Sequence, residues 1–319
     1  MNILIIGGAG FLGANLVRRC LAEPDVSLTV MDSLDPHLHS TTMHLQEVWP
    51  RIRFVRGDMR DETLLAEIVQ GQDIIFNCAA QTSHPLSIQY PLLDAEINCL
   101  GNLKLLESIR LLNSSARIVY TSSSTVIGKA LTEVVDEDHW ERPLEIYSAN
   151  KGVAEKYYRI YHTIHDLNTV VLRFANLYGP YGKGYQEFGF INFFIHQAWT
   201  DQEIKIFGTG NQSRNVLYVD DATEILWRSA NEPRLVGESW FATSDQHQTV
   251  AEIAEKIVQV FQRGRITHIE WPDERKRIEI DHVVFSSERL RSIVNWSPDT
   301  DLETGLLRIK AILEQEHRK

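Results

Sequence analysis

The sequence predicts an α/β fold built on a doubly wound parallel sheet, with a smaller C-terminal α/β lobe. Two observations predict it: short apolar segments alternate with segments of helical period through the first half, and a glycine-rich turn follows the first apolar segment. The apolar segments place strands near residues 2–7, 27–32, 52–56, 73–78, 116–122 and 168–174. A Rossmann-type sheet covered by helices on both faces follows from this order.

The alternation changes after Pro180, where a stretch rich in glycine and aromatic residues extends to Gly189. Beyond it we expect a helix near 191–200, a strand at 204–207, a strand-helix-strand unit within 213–245, and helices at 250–262 and 302–316. We therefore assign residues 1–176 to the first domain, with the segment at about 215–245 returning to it. Residues 177–214 and 246–319 are assigned to the second lobe.

Composition narrows the possible partners. With 32 Lys and Arg against 43 Asp and Glu, the net charge is −11, which argues against binding to nucleic acid or to anionic membranes. The three cysteines, Cys20, Cys78 and Cys99, are widely spaced and form neither a disulfide framework nor a metal-binding set. No apolar run is long enough to span a membrane, and the chain opens into a strand rather than a signal peptide. We therefore predict a cytoplasmic protein without a metal site.

The first motif is a glycine loop. Gly7, Gly10 and Gly13 follow the first strand and open the first helix, in which Phe11 and Leu12 fit the helical period. Backbone N–H groups at such a turn, together with the helix N-terminus, can bind a pyrophosphate. The spacing differs by one residue from the usual Gly-x-Gly-x-x-Gly pattern, so a tight strand-helix turn without a ligand is the alternative.

Asp32 ends the second predicted strand, about 20 residues beyond the loop, where a carboxylate can accept hydrogen bonds from a ribose. The next eighteen residues contain neither Arg nor Lys, so a 2′-phosphate would meet Asp32 without a cation. This favours NAD over NADP. A turn-forming aspartate at a strand end is the alternative interpretation.

The second motif is Tyr147 with Lys151. Four residues apart, they share one face of a helix and can act on one atom. A tyrosine has a reference pKa of ~10, and lowering it by ~3 units requires about 4 kcal/mol of preferential phenolate stabilisation. The Lys151 ammonium and a nicotinamide cation can provide it. Ser122–Thr125 add hydroxyl groups at the same edge of the sheet. Each pattern alone is commonly a solvated helix face or a turn, and only their combination predicts a site for proton and hydride transfer.

Together these motifs resemble the extended short-chain dehydrogenase/reductase superfamily, in its nucleotide-sugar epimerase and dehydratase branch. The resemblance extends along most of the chain, through the segments Gly57–Asp61, Cys78–Gln81, Asn98 with Gly101, Leu172–Pro180 and Phe207–Asp221. It implies Ser123, Tyr147 and Lys151 as catalytic residues. The contacts it implies for NAD are Gly7, Gly10, Phe11, Leu12, Gly13, Asp32, Asp58, Met59, Ala79, Ala80, Gln81, Asn98, Tyr147 and Lys151.

The resemblance also implies a nucleotide-sugar substrate. The candidate contacts are Gln81, Thr82, Ser83, His84, Ser124, Thr125, Asn176, Gln212, Arg214, Arg275 and Arg277. For the unusual loop Gln81–His84, we expect substrate selection by hydrogen bonds, with His84 a candidate second acid or base; an ordinary polar loop is the alternative. The Arg275–Arg277 cluster is equally compatible with a solvated surface run.

The residues after Ser123 distinguish the branches of the resembled family. Its 4,6-dehydratases place Asp-Glu there and its decarboxylases place Glu, whereas this chain has Ser124 and Thr125. The segment is closer to the 4-epimerases, although Ile127 stands where Tyr is usual. We therefore expect a UDP-sugar 4-epimerase first. A dehydratase, a decarboxylase, a 2-epimerase or a non-catalytic dinucleotide-binding regulator are the alternatives. The resemblance further implies a homodimer formed through helices near 91–112 and 146–165.

Overall fold

The computed structural model describes residues 1–280 and 282–317. The strands are β1 (Asn2–Ile6), β2 (Ser27–Asp32), β3 (Ile52–Arg56), β4 (Ile74–Asn77), β5 (Arg117–Ser123), β6 (Val134–Val135), β7 (Asn168–Phe174), β8 (Asn176–Tyr178), β9 (Glu203–Phe207), β10 (Ser213–Tyr218), β11 (Ser239–Ala242), β12 (His247–Thr249), β13 (Arg265–Ile269) and β14 (Val284–Phe285). The helices are α1 (Phe11–Leu21), α2 (Glu62–Ile68), α3 (His84–Gln89), α4 (Pro91–Ala95), α5 (Gly101–Leu112), α6 (Ile146–His165), α7 (Phe190–Trp199), α8 (Val219–Asn231), α9 (Val250–Phe261), α10 (Asp273–Ile278), α11 (Glu288–Ile293) and α12 (Leu302–His317).

A seven-stranded parallel sheet confirms the predicted fold class. Its order is β11-β7-β5-β4-β1-β2-β3, and every neighbouring pair is parallel. The chain proceeds outward from β1 through β2 to β3, then crosses to β4 and continues in the opposite direction. Ligands of such sheets bind beyond the carboxyl ends of the strands, where the order reverses. Here that position lies between β1 and β4.

Both faces of the sheet are buried, because alternate residues of β1 enter different cores. Ile3 and Ile5 pack in one cluster with apolar residues of α1 and α8. Leu4 and Ile6 pack in another, with residues of α2, α5 and α6. A strand that is apolar at every position is typical of a sheet covered on both sides.

A separate apolar cluster organises the second lobe. It joins α7, α9 and α12 with residues of β9 and β10, beside the sheet β12-β10-β8 and the pair β13-β9. Within the segment 215–245, β11 lies at the edge of the main sheet and α8 packs against α1, whereas β10 belongs to the small sheet. The division of the chain into two domains stays a prediction.

The long helix expected near 91–112 is present and contains a π-helical turn. A π-helical turn at Glu96–Leu100 joins α4 to α5, and such turns occur frequently at functional sites. No helix within residues 1–280 and 282–317 has the length and apolarity needed to cross a bilayer. Cys20, Cys78 and Cys99 are free thiols.

Candidate active site

A cleft of about 830 Å³ opens at the carboxyl ends of the central strands and extends to the second lobe. It is bordered by the turn after β1, the loop after β4 and the start of α6. Most of the residues predicted to bind cofactor or substrate line it: Gly7, Gly10, Phe11, Leu12, Gly13, Asp32, Asp58, Met59, Ala79, Ala80, Thr82, His84, Ser123, Ser124, Thr125, Tyr147, Lys151, Asn176, Gln212, Arg214 and Arg275. The predicted residues absent from the lining are Gln81, Ser83, Asn98 and Arg277.

The glycine loop forms the border of the cleft at the end of β1, where the backbone of the β4 loop approaches closely. Gly7 has a φ of +78°, and a Cβ there would lie 2.6 Å from the backbone nitrogen of Ala79. Only glycine satisfies both the conformation and the close approach of the β4 loop. Gly10 lines the cleft, and a Cβ added there would lie 3.3 Å from the Gly7 carbonyl oxygen, which is a tight contact. With α1 beginning at Phe11, the turn fits a pyrophosphate.

Asp32 is buried at the end of β2. Its carboxylate accepts hydrogen bonds from the N–H groups of Ala9 (3.0 Å) and Leu34 (2.9 Å). Burial raises its pKa, while these hydrogen bonds and the charge of Lys183 act in the opposite direction. Burial lowers the pKa of Lys183 to about 8. Lys183, from the segment after Pro180, is therefore a cation near Asp32 that the eighteen residues after Asp32 do not provide.

The three predicted catalytic residues meet in the cleft. Ser123 ends β5, whereas Tyr147 and Lys151 lie in the first turns of α6. Tyr147 is 8% exposed, and Ser123 is near enough to lower its pKa. Lys151 is buried, donates to the carbonyl oxygen of Thr121 at 2.6 Å, and has its ammonium 4.4 Å from the centre of the Tyr120 ring. These two contacts fix the position of the Lys151 ammonium in the lining of the cleft.

Burial dominates the ionisation of this group. It raises the pKa of Tyr147 above its ordinary value; the charges of Glu145 and Asp94 raise it further, and only Ser123 lowers it. Burial also lowers the pKa of Lys151 to about 8. The protein's own groups therefore favour the phenol, and a positively charged nicotinamide bound nearby would act in the opposite direction.

The loop after β4 divides into structural and cleft-facing residues. The Gln81 amide donates to Ser83 (2.7 Å) and Asp94 (2.8 Å), and the Gln81 backbone exchanges hydrogen bonds with Asn98. The Ser83 hydroxyl caps α3 by accepting from the Leu86 N–H. Because these polar groups are used within the loop, Gln81, Ser83 and Asn98 shape the site from behind the lining.

His84 lies beside Tyr147, with ring centres 4.8 Å apart. Its Nδ1 hydrogen-bonds the Glu145 carboxylate, which also accepts from the Ser148 hydroxyl at 3.1 Å. Ser148 in turn contacts Thr125 Oγ1 at 2.8 Å. Sequence reasoning missed Glu145, although its place two residues before Tyr147 was an available signal.

At the other end of the cleft, the predicted phosphate contacts differ in their surroundings. Arg214 is paired with Glu279 and donates to the carbonyl oxygen of Ile280 at 2.9 Å. Arg275 has its guanidinium carbon 5.5 Å from the centre of the Phe207 ring. Arg277 is exposed and lies outside the lining. Whether Arg214 and Arg275 bind phosphate stays a prediction.

Comparison with known proteins agrees with this geometry. The model of the NAD dependent epimerase/dehydratase family matches residues 3–240. A putative UDP-glucose 4-epimerase of Methanocaldococcus jannaschii is 28% identical, over 99% of both chains. A CDP-paratose 2-epimerase of Salmonella typhi is 26% identical, over 97% of this chain and 98% of the relative.

Solved structures have the same architecture. Pal from Bacillus thuringiensis superposes with a TM-score of 0.91 at 26% identity, over 99% of this chain and 100% of that one. A UDP-glucose 4-epimerase of Thermotoga maritima superposes with a TM-score of 0.89 at 24% identity, over the same shares of the two chains. With its glycine loop, its buried Asp32 and a family match over most of its length, the chain belongs to the NAD-dependent epimerase/dehydratase family, and its cofactor is NAD.

Proposed function

We propose that the protein is a nucleotide-sugar epimerase that works through a transient keto sugar, with a UDP-sugar as substrate and carbon 4 as the inverted centre. The observation that carries the proposal is the convergence of Ser123, Tyr147 and Lys151 in the cleft that the glycine loop borders. A protein that only binds a dinucleotide has no chemical need for this combination. The regulator alternative is therefore the weaker one.

In the proposed reaction, each of the three residues has a separate role. When bound, NAD supplies the acceptor and the donor of a hydride at the sugar carbon. Tyr147 takes the proton of the sugar hydroxyl as a base, and Ser123 hydrogen-bonds the same oxygen. Lys151, from its buried position, would hold the cofactor ribose. After the ketone turns over in the cleft, Tyr147 returns the proton to the oxygen of the inverted centre.

The choice of branch rests on the residues after Ser123. Ser124 and Thr125 both line the cleft, and neither side chain is an acid that can drive loss of water or carbon dioxide. The 4-epimerases among the relatives support this choice. Epimerisation at carbon 2 of a CDP-linked sugar is the second candidate, because a CDP-paratose 2-epimerase is similar over nearly the whole chain.

The test is a panel of UDP-, GDP-, CDP- and dTDP-sugars incubated with the purified protein in heavy water and followed by NMR. We expect inversion at carbon 4 of a UDP-sugar with the original hydrogen retained there, because the hydride leaves and returns without meeting solvent. Inversion at carbon 2 would support the second candidate. Loss of water would move the protein to the dehydratases, and no reaction with any sugar would contradict the proposal.

We also propose a homodimer formed through α5 and α6. Large apolar side chains are exposed along and next to these helices: Leu92, Leu100, Leu111, Ile160 and Ile164, with exposures of 79%, 49%, 64%, 47% and 65%. Leu103 and Tyr157, in contrast, pack partly against the core. Light scattering should give twice the mass of the 36.6 kDa chain. A monomer at micromolar concentration would contradict the proposal.

A further inference from the structure

The pair His84 and Glu145 has the geometry of an acid–base group that the proposed reaction does not use. We propose that His84, oriented by Glu145, removes and returns a hydrogen on a carbon next to the ketone. This inference rests on the proposed function, because only the keto sugar makes that hydrogen acidic. It predicts exchange of a carbon-bound hydrogen with solvent.

The hydrogen bond to Glu145 fixes the state of the imidazole. A carboxylate can only accept, so Nδ1 carries the hydrogen, and in the neutral ring Nε2 carries the free lone pair. No hydrogen bond joins Nε2 to any residue that the structure describes. The His84 side chain is 41% exposed and lines the cleft. Its basic nitrogen is thus available to a ligand.

Glu145 is suited to support proton uptake by its neighbour. Its side chain is only 9% exposed, and Oε2 is buried without a hydrogen-bond partner among the described residues. The other oxygen contacts both His84 and Ser148. A carboxylate held on one side of an imidazole orients the ring and stabilises the imidazolium formed when the other nitrogen takes a proton.

The position of His84 relative to Tyr147 determines which atoms of a bound sugar His84 can contact. Their ring centres are 4.8 Å apart, so a sugar whose oxygen contacts the Tyr147 hydroxyl presents its neighbouring carbons near His84. Ser124 and Thr125 provide no acid or base on their side of the cleft. His84 and Glu145 provide this missing function from the loop after β4 and the start of α6.

The step balances without another reactant. Nε2 of His84 takes the proton, the C–H electron pair forms the carbon–carbon double bond of an enolate, and the ketone oxygen takes the negative charge beside Tyr147 and Ser123. The exposed imidazolium exchanges its proton with water. Return of a solvent proton to carbon restores the ketone, and the hydride at the oxidised carbon is untouched.

The test is run in heavy water and makes two measurements. NMR gives the deuterium incorporated at the carbons that flank the oxidised centre, and absorbance gives the amount of reduced nicotinamide. The quantity compared between variants is the ratio of the first to the second. Wild-type protein should incorporate deuterium. In His84→Gln the ratio should fall about 100-fold, the usual contribution of a general base, and in Glu145→Gln about tenfold. Glu187→Gln, which removes an exposed carboxylate of the same cleft, is the matched control and should keep the wild-type ratio.

The outcomes separate the two proposals. Reduced nicotinamide without deuterium in wild type, or an equal ratio in His84→Gln, would overturn this inference and leave the epimerase proposal standing. Neither inversion nor reduced nicotinamide with any nucleotide sugar would overturn both. NMR of the imidazole nitrogens, assigned with His84→Gln, gives a readout independent of turnover. Hydrogen on Nδ1 of His84 is expected, and hydrogen on Nε2 alone would also overturn the inference.

Discussion

Lys183 and Asp32 both line the cleft, and the charge of each affects the pKa of the other. Asp32 ends β2, whereas Lys183 follows Pro180 and also donates to the carbonyl oxygen of Leu38. The two groups line the cleft where the adenosine ribose of NAD is expected. A carboxylate there disfavours a 2′-phosphate, and a lysine beside it partly offsets that effect.

Removal of the carboxylate should therefore relax cofactor choice. Asp32→Ala should weaken NAD binding about tenfold, because hydrogen bonds from the ribose to a charged acceptor are lost. The affinity for NADP relative to NAD should rise, since Lys183 can then pair with the 2′-phosphate. Calorimetric titration of both cofactors measures the ratio.

The double variant Asp32→Ala with Lys183→Ala provides the control. Without the lysine, the gain in relative affinity for NADP should disappear. An equal gain in the single and double variants would show that Lys183 has no part in cofactor choice.

Spacing along the sequence was sufficient to predict the arrangement of residues that lie in the same turn or on the same helix. Gly7 and Gly10 lie in the turn between β1 and α1, Gly13 lies in the first turn of α1, and Tyr147 and Lys151 share one helix face. The apolar segments likewise predicted the strands of the main sheet. Helices cover both faces of this sheet, so a strand such as β1 is apolar at nearly every position.

Contacts between distant segments could not be predicted in this way. The charge of Lys183 acts on Asp32, and Glu279 pairs with Arg214, although in each case the two residues are far apart in the sequence. Gln81 has a polar side chain compatible with substrate binding, yet its partners Asp94 and Asn98 come from α4 and the π-helical turn. Spacing in one sequence carries no signal for such pairs.

The glycine loop gives a test of packing. In Gly7→Ala, the added Cβ would meet the backbone of Ala79 at 2.6 Å in a left-handed conformation, so we expect loss of NAD binding and destabilisation by about 2–4 kcal/mol. Gly71→Ala is the matched control, because Gly71 has a φ of +69° and nothing within 4 Å of an added Cβ. It should cost only the conformational strain of about 1–2 kcal/mol. Equal losses in urea unfolding would contradict the close approach of the β4 loop.

A buried ion pair supports α6 from beneath. Arg173 of β7 and Glu155 of α6 are 4% and 3% exposed, and their side chains form hydrogen bonds of 3.0 Å and 2.6 Å to the same carboxylate oxygen. Arg173→Met should lower the free energy of unfolding by about 3–5 kcal/mol, because the Glu155 charge stays buried. The double variant with Glu155→Leu should recover much of this loss. No recovery in chemical denaturation would indicate that packing, not charge, holds the helix.

The buried Lys151 makes stability depend on pH. Its pKa falls from 10.5 when unfolded to about 8 when folded, so between these values the unfolded chain binds more protons and stability rises with pH. Below about pH 8 the charged lysine carries its full desolvation cost. Lys151→Met should therefore be more stable than wild type at pH 7, by about 1–3 kcal/mol, with the difference shrinking toward pH 10. A difference that does not vary with pH would contradict the lowered pKa.

The central claim is that Tyr147 moves the proton in a nucleotide-sugar epimerisation, and Tyr147→Phe tests it most directly. The measurement is NMR of a UDP-sugar incubated with wild-type and variant protein, alongside titration of NAD. We predict inversion at carbon 4 by wild type, unchanged NAD binding by the variant, and a rate lower by about 10²–10⁴-fold. Inversion at the wild-type rate by Tyr147→Phe would contradict the account.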